Sequence, residues 1–120
     1  MTTINDKVLN SIKKEAENSY NKIISIEELA EKYNIPKKDM HYQYIIKFGK
    51  SILETNQKAK IDYLNKLIDK DGEKKPQSSY IYARKLGYES DAGLQNFLTK
   101  NLEMTFKEYF RFRKQSINTK

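Results

Sequence analysis

Apolar residues return along this chain at intervals of three and four, the period of an α-helix that buries one face. Ile4, Val8, Ile12 and Ala16, with Leu9 beside them, predict a first helix of about four turns. Its tail, Glu15 to Lys22, is polar and ends in the Asn18-Ser19-Tyr20-Asn21 cluster, a loop by composition. Ser25 is the expected cap of a second helix, with Glu28 three residues later reaching back in a capping box. Met40, Tyr44 and Phe48 stripe a third helix, with Pro36 in its first turn, where the missing N–H costs nothing, and Gly49 at its end. Ser51 and Glu54 form a second box and open a long fourth helix through Ile68, with Leu53, Ile61, Leu64, Leu67 and Ile68 as its apolar positions. Tyr82, Ala83 and Leu86 stripe a short fifth helix stopped by Gly87, and Leu94, Phe97 and Leu98 a sixth. Thr105 and Glu108 box the start of a seventh, followed by a basic tail from Arg111 to Lys120 that is expected to fray.

The segment Asp69 to Gln77 contains Gly72 and Pro76 and no apolar residue, and is expected to be an exposed linker. The expected fold is therefore all-α, with seven helices in two helix-turn-helix subdomains joined by a long connector helix. Residues 1–68 make the first subdomain with the connector, 69–77 the linker and 78–120 the second subdomain.

Helix, tight turn and helix is by itself a common corner. Here the grammar occurs twice. Ala30 and Asn34 lie 53 positions before Ala83 and Gly87, whereas Met40, Tyr44, Ser51 and Glu54 lie 54 positions before Leu94, Leu98, Thr105 and Glu108. One residue inserted in the second turn accounts for the difference, and the chain is an internal duplication of a helix-turn-helix unit. Asn34 stands where its counterpart is Gly87, and Asn tolerates the left-handed backbone better than other residues with a side chain.

Taken together, Ile26-Glu27-Glu28-Leu29-Ala30, Phe48-Gly49-Lys50-Ser51, Ala83 to Ser90, Met104-Thr105 and Glu108-Tyr109 resemble the AraC/XylS class of bacterial transcription regulators. Within that class the chain is similar to the small free-standing activators of stress and antibiotic-resistance genes. The resemblance covers roughly residues 4 to 113. It implies a monomer on double-stranded DNA, with the third and sixth helices in successive major grooves, the duplex bent, and the connector helix holding the two reading heads about one DNA turn apart. Contact with RNA polymerase and activation of transcription follow from the same resemblance.

Carried across residue by residue, the family pattern makes Lys38, His41 and Tyr42 the base readers of the first unit and Asp91, Ala92, Gln95 and Asn96 those of the second. Lys38 suits guanine, Gln95 and Asn96 suit adenine, and Ala92 suits a thymine methyl. Phosphate contacts fall to Lys37, Lys50, Ser90, Lys100 and Lys107. The family often has Arg at the positions of Tyr42 and Asn96 and lysines at those of Ile45 and Ile46, and neither reading helix contains an Arg. Gly93 is expected to weaken the sixth helix by about 1 kcal/mol relative to Ala. An AT-rich site read by Gln, Asn and shape fits these departures. The plain alternatives are that His41 is a solvated helix residue and that Tyr42 packs over a lysine stem. Tyr44, Phe48, Phe97, Tyr109 and Phe110 are expected in the core, and Glu27, Glu28 and Glu31 on a solvated face.

Charge and composition add direction. The 120 residues carry a net charge of +7, with a pI near 9.4, and favour a polyanionic partner. A hydrophobic content of 38% and a mean hydropathy of −0.87 describe a thin core under a heavily solvated surface. Without cysteine and with His41 as its one histidine, the chain offers no disulfide and no thiolate or His-rich zinc site, and suits a reducing cytoplasm. There is no apolar run of membrane-spanning length, no Gly-rich phosphate loop, no Ser-His-Asp grouping and no paired-carboxylate signature, so the expectation is no membrane, no cofactor, no metal and no catalysis. Two rival readings stay open. One is an AraC-like domain that has lost its base readers and acts as an interaction or antagonist module through Tyr42, Ile45 and Ile46. The other is a DNA-binding fragment of a larger ligand-sensing regulator, against which the lack of a tag and the complete first helix speak.

Overall fold

The computed structural model describes residues 3–71 and 78–118, with side chains as far as Gln115. These residues form seven α-helices and no strand: α1 (Asp6–Asn18), α2 (Ile26–Lys32), α3 (Lys37–Phe48), α4 (Ile52–Lys70), α5 (Ser79–Lys85), α6 (Asp91–Leu102) and α7 (Phe106–Asn118). The expected all-helical fold is the fold observed. Residues 72–77, most of the expected linker, lie outside the described residues.

Helices α1, α2, α4 and α7 start where the sequence supplies a side-chain acceptor for the unpaired N–H groups of a first turn. The Asn5 side chain accepts from Lys7 N–H at 2.7 Å and opens α1, so Ile4 precedes the helix instead of belonging to it. Ile4 is buried all the same, and its N–H donates to Gln43 Oε1 of α3 at 2.8 Å. The boxes at Ser51/Glu54 and Thr105/Glu108 are complete. Each hydroxyl accepts from the Glu N–H, at 3.1 and 3.2 Å, and each carboxylate accepts from the cap N–H, at 3.2 and 3.0 Å. At Ser25 only the hydroxyl's half forms, accepting from Glu28 N–H at 3.3 Å, and the nearby carboxylate is that of Glu27 instead. Pro36 is the N-cap of α3, one residue earlier than expected.

The helices gather into two compact units, Met1–Lys60 and Ile61–Lys120. In the first, Leu9, Ile12 and Ala16 of α1, Leu29 and Ala30 of α2, Met40 and Tyr44 of α3 and Ile52 of α4 share one core with Ile4. Leu64 and Ile68 of α4, Tyr82, Ala83 and Leu86 of α5, Leu94, Phe97 and Leu98 of α6 and Phe106, Tyr109 and Phe110 of α7 share the other. The division falls inside α4, after Lys60, whereas the expected boundary followed Ile68. Its physical reason is that Leu64 and Ile68, fully buried, belong to the second core.

Two expectations are corrected. Leu53, counted among the apolar core positions of α4, is 45% exposed, and Ile52 takes the buried position. The basic tail does not leave the fold at Arg111, since α7 runs to Asn118. Arg113 grips Asp69 with Nε and Nη2 at 3.1 and 2.8 Å, and Lys114 Nζ donates to the Ile68 carbonyl at 3.1 Å.

Polar side chains are buried on α4 where it crosses the first unit. Tyr44 donates to Thr55 Oγ1 at 2.7 Å, and Thr55 donates to the Ser51 carbonyl at 3.0 Å. Asn56 Nδ2 donates to the Ala16 and Ser19 carbonyls at 2.9 and 3.0 Å, closing the end of α1. Lys60 Nζ donates to the carbonyls of Tyr20 and Lys22 at 3.1 and 2.5 Å, and these bonds order the loop after α1.

Candidate nucleic-acid interface

The turns before α3 and α6 are one backbone motif used twice. After α2, Asn34 adopts a left-handed conformation (φ 54°), its N–H donates to Glu31 O at 3.1 Å and Ile35 N–H donates back to Ala30 O at 2.9 Å. After α5, Gly87 does the same (φ 92°), with Gly87 N–H on Arg84 O at 3.1 Å and Tyr88 N–H on Ala83 O at 2.9 Å. Both are Schellman caps that satisfy the last carbonyls of the first helix while turning the chain into the second. From Asn34 to the first residue of α3 is three positions and from Gly87 to the first residue of α6 is four, so the inserted residue inferred from the spacing lies in the second turn.

Each turn delivers a 12-residue helix with one face fixed and the other in solvent. Met40 and Tyr44 anchor α3 in the first core, with Gln43 holding the Ile4 backbone. Leu94, Phe97 and Leu98 anchor α6 in the second. Gly93 has a purpose its helix propensity does not show. A Cβ on it would lie 2.9 Å from Tyr88 Cδ1 and 3.1 Å from Tyr88 Cβ and Cγ, so its bare backbone leaves room for the Tyr88 side chain. That ring packs against Phe97 at 5.9 Å between centroids, and burial pushes its hydroxyl up to about 12.

On α3, Lys38, His41 and Tyr42 are all exposed, with Ile45 and Ile46 one turn further along. On α6, Ala92 and Asn96 are exposed, with Lys100 beyond them. The other two residues expected to read bases in this unit have partners inside the protein. Gln95 is half-buried and its Oε1 accepts from Phe106 N–H at 2.9 Å, capping α7. The bidentate approach to adenine expected of Gln95 needs that same oxygen, so it competes with the cap. Asp91 accepts from the Ser79 hydroxyl and ties α6 to the start of α5, which lowers its availability to a base edge.

The phosphate candidates divide in the same way. Lys50 follows the left-handed Gly49 at the end of α3, Lys100 is exposed on α6 and Lys107 on the first turn of α7. Ser90 is the N-cap of α6 without a side-chain capping bond. Lys37 sits 2.6 Å from Glu27 Oε1, and its ammonium holds that carboxyl below the usual carboxylate range. Sequence reasoning missed Thr99, exposed on α6 one turn after Asn96, and Arg111, exposed one turn after Lys107. The 54-residue offset that pairs Thr99 with Ile45 was the available signal for the first.

The acidic count leaves both units positive. Residues 1–60 hold 11 lysines against 8 carboxylates, and residues 61–120 hold 12 lysines and arginines against 8. Among the described residues no group of three His, Asp or Glu side chains is placed to hold a metal ion. No helix is long and apolar enough to cross a membrane, among the same residues.

No protein-family model matches the sequence, and no curated protein matches it. The fold is similar to a solved structure, the C-terminal domain of AraT, a response regulator from Geobacillus stearothermophilus. The TM-score is 0.74 at 12% sequence identity, over 92% of this chain and 88% of that one. At that identity the likeness is one of fold.

Proposed function

We propose that this chain is a sequence-specific DNA-binding transcription regulator of the AraC/XylS kind, entering successive major grooves with α3 and α6. The observation that carries the reading is the duplicated unit. The same Schellman turn twice sets a 12-residue helix on a core, with one face free in solvent and net positive charge around it. The AraT domain, from a response regulator, has this fold, which supports a regulatory role. In this reading the chain binds as a monomer in the cytoplasm, with Lys38, His41, Tyr42, Ala92 and Asn96 toward bases. Lys50, Ser90, Lys100 and Lys107 face phosphates, and RNA polymerase is the partner in activation.

A second reading draws on Tyr42, Ile45 and Ile46, exposed together on α3, which also suit a protein partner for an antagonist module. Fluorescence anisotropy with a short AT-rich duplex at several salt concentrations decides between them. The DNA reading requires tight binding that weakens steeply with salt and prefers some sequences over an unrelated competitor. Lys38→Ala and Asn96→Ala should each cost about 1–3 kcal/mol of affinity for the preferred sequence. Weak binding without preference defeats the DNA reading.

A further inference from the structure

The two reading helices present different chemistry at equivalent positions. With 3.6 residues per turn, Lys38, Tyr42, Ile45 and Ile46 fall within an arc of about 100° on the side of α3 away from Met40 and Tyr44. Tyr42 and Ile46 are 54% and 68% exposed, and Ile45 joins them. At the offset of 54, the same arc of α6 carries Ala92, Asn96, Thr99 and Lys100. One copy of the unit therefore offers solvent an apolar surface where the other offers an amide, a hydroxyl and an ammonium. Isolated apolar residues on a surface need no explanation, but three on the solvent-facing arc of one helix do.

Resting on the DNA-binding reading, we infer that Tyr42, Ile45 and Ile46 make α3 a reader of thymine methyl groups, so that the two units recognise unlike half-sites. The C5-methyl of thymine is the apolar group that a base edge shows in the major groove. Isoleucine has no donor to offer guanine O6 and N7 and gains by covering a methyl, and the tyrosine ring adds apolar surface beside it. The charges at the ends of the same helix match a groove bounded by phosphates. Lys38 stands at the start of α3 and Lys50 just past its end, while Lys37 and Lys47 are paired with Glu27 and Asp6 at 2.6 and 3.3 Å, and no carboxylate is among the five exposed residues Lys38, His41, Tyr42, Ile45 and Ile46. On α6 the Asn96 amide can pair with adenine, and Ala92 leaves only a single methyl for apolar contact. The first half-site is thus thymine-rich and read by burial, and the second is read chiefly by hydrogen bonds.

The test removes the methyl and nothing else. Binding of the full chain to an alternating d(AT) duplex of about two helical turns is compared with binding to the same duplex carrying deoxyuridine for thymidine. The variants are the double substitution Ile45→Ala/Ile46→Ala, on an exposed helix face, and Asn96→Ala. Wild type should prefer the thymine duplex by at least about fourfold, the value of one buried methyl. The double variant should bind both duplexes nearly equally, and Asn96→Ala should keep the preference while binding both more weakly. Equal binding of the two duplexes by wild type overturns the inference and leaves the DNA reading standing. A preference that survives in the double variant reflects duplex shape or another residue, and overturns it as well. No binding to either duplex at low salt defeats the DNA reading itself and assigns the apolar face to a protein partner.

Discussion

Lys60 is 3% exposed, holds two loop carbonyls, and has its pKa pushed by burial from 10.5 down to about 8. Between those two values the unfolded chain binds more protons than the folded one, so this residue makes stability rise with pH from about 8 toward 10. Above that the sign reverses. Burial raises the pKa of Tyr33, Tyr44, Tyr88 and Tyr109, so the fold keeps protons that the unfolded chain releases. The urea midpoint should therefore rise between pH 8 and 10 and fall beyond it, and Lys60→Met should abolish the rise and leave the fall. A second residue-scale expectation concerns Glu103, whose φ of 56° places a side-chain-bearing residue in the left-handed region at the end of α6. Its counterpart Gly49 sits at φ 74° at the end of α3 without that penalty. Glu103→Gly should raise stability by about 1 kcal/mol, measured as a higher urea midpoint at unchanged slope. Neither feature was legible in the sequence. A lysine on an amphipathic helix gives no sign that it will be buried against carbonyls, and Glu103 differs from Gly49 only in a pairing that the duplication reveals after the turn lengths are known.

At the scale of the helix, Gly93 shows where propensity and packing disagree. Replacing it by Ala should gain about 1 kcal/mol from the helix backbone. The added methyl, however, would sit 2.9 Å from Tyr88 Cδ1, near the root of a ring packed against Phe97. Overpacking of this kind costs about 1–3 kcal/mol. Gly93→Ala should therefore lower the melting temperature, and a melting temperature at or above wild type would show that the Tyr88 ring yields. The helices themselves were legible, because their stripes, caps and stop residues agree with one another. Ser51/Glu54, Thr105/Glu108, Asn34 and Gly87 each mark a boundary found in the fold. What periodicity could not tell was which side chains at the edge of a stripe turn inward. Leu53 and Ile52 are adjacent and equally apolar, and only the packing of α4 against the first core separates them.

Across the whole molecule, the positive charge is spread over both units, and under the proposed DNA-binding role the salt dependence of binding should report it residue by residue. Lys50→Ala and Lys107→Ala should each reduce the salt slope by about 1, whereas Lys37→Ala should change it less, because Glu27 already holds that ammonium. Equal effects of all three would mean that the Lys37–Glu27 pair dissolves on the duplex. Of the candidate interface, the exposed positions on α3 and the pair Ala92 and Asn96 were legible through the family resemblance. The inward bonds of Asp91 to Ser79 and of Gln95 to Phe106 were not, since they depend on where α5 and α7 begin. Helix α4 carries a kinetic consequence of being shared. Ile52 is fixed by one core and Leu64 and Ile68 by the other, along a single run of 19 helical residues. Starting a helix is disfavoured by roughly a thousandfold, while lengthening one is nearly free. As the chain leaves the ribosome, the first unit can condense around residues 52–60 and hand the second a helix already begun, so the earlier copy acts as template for the later one.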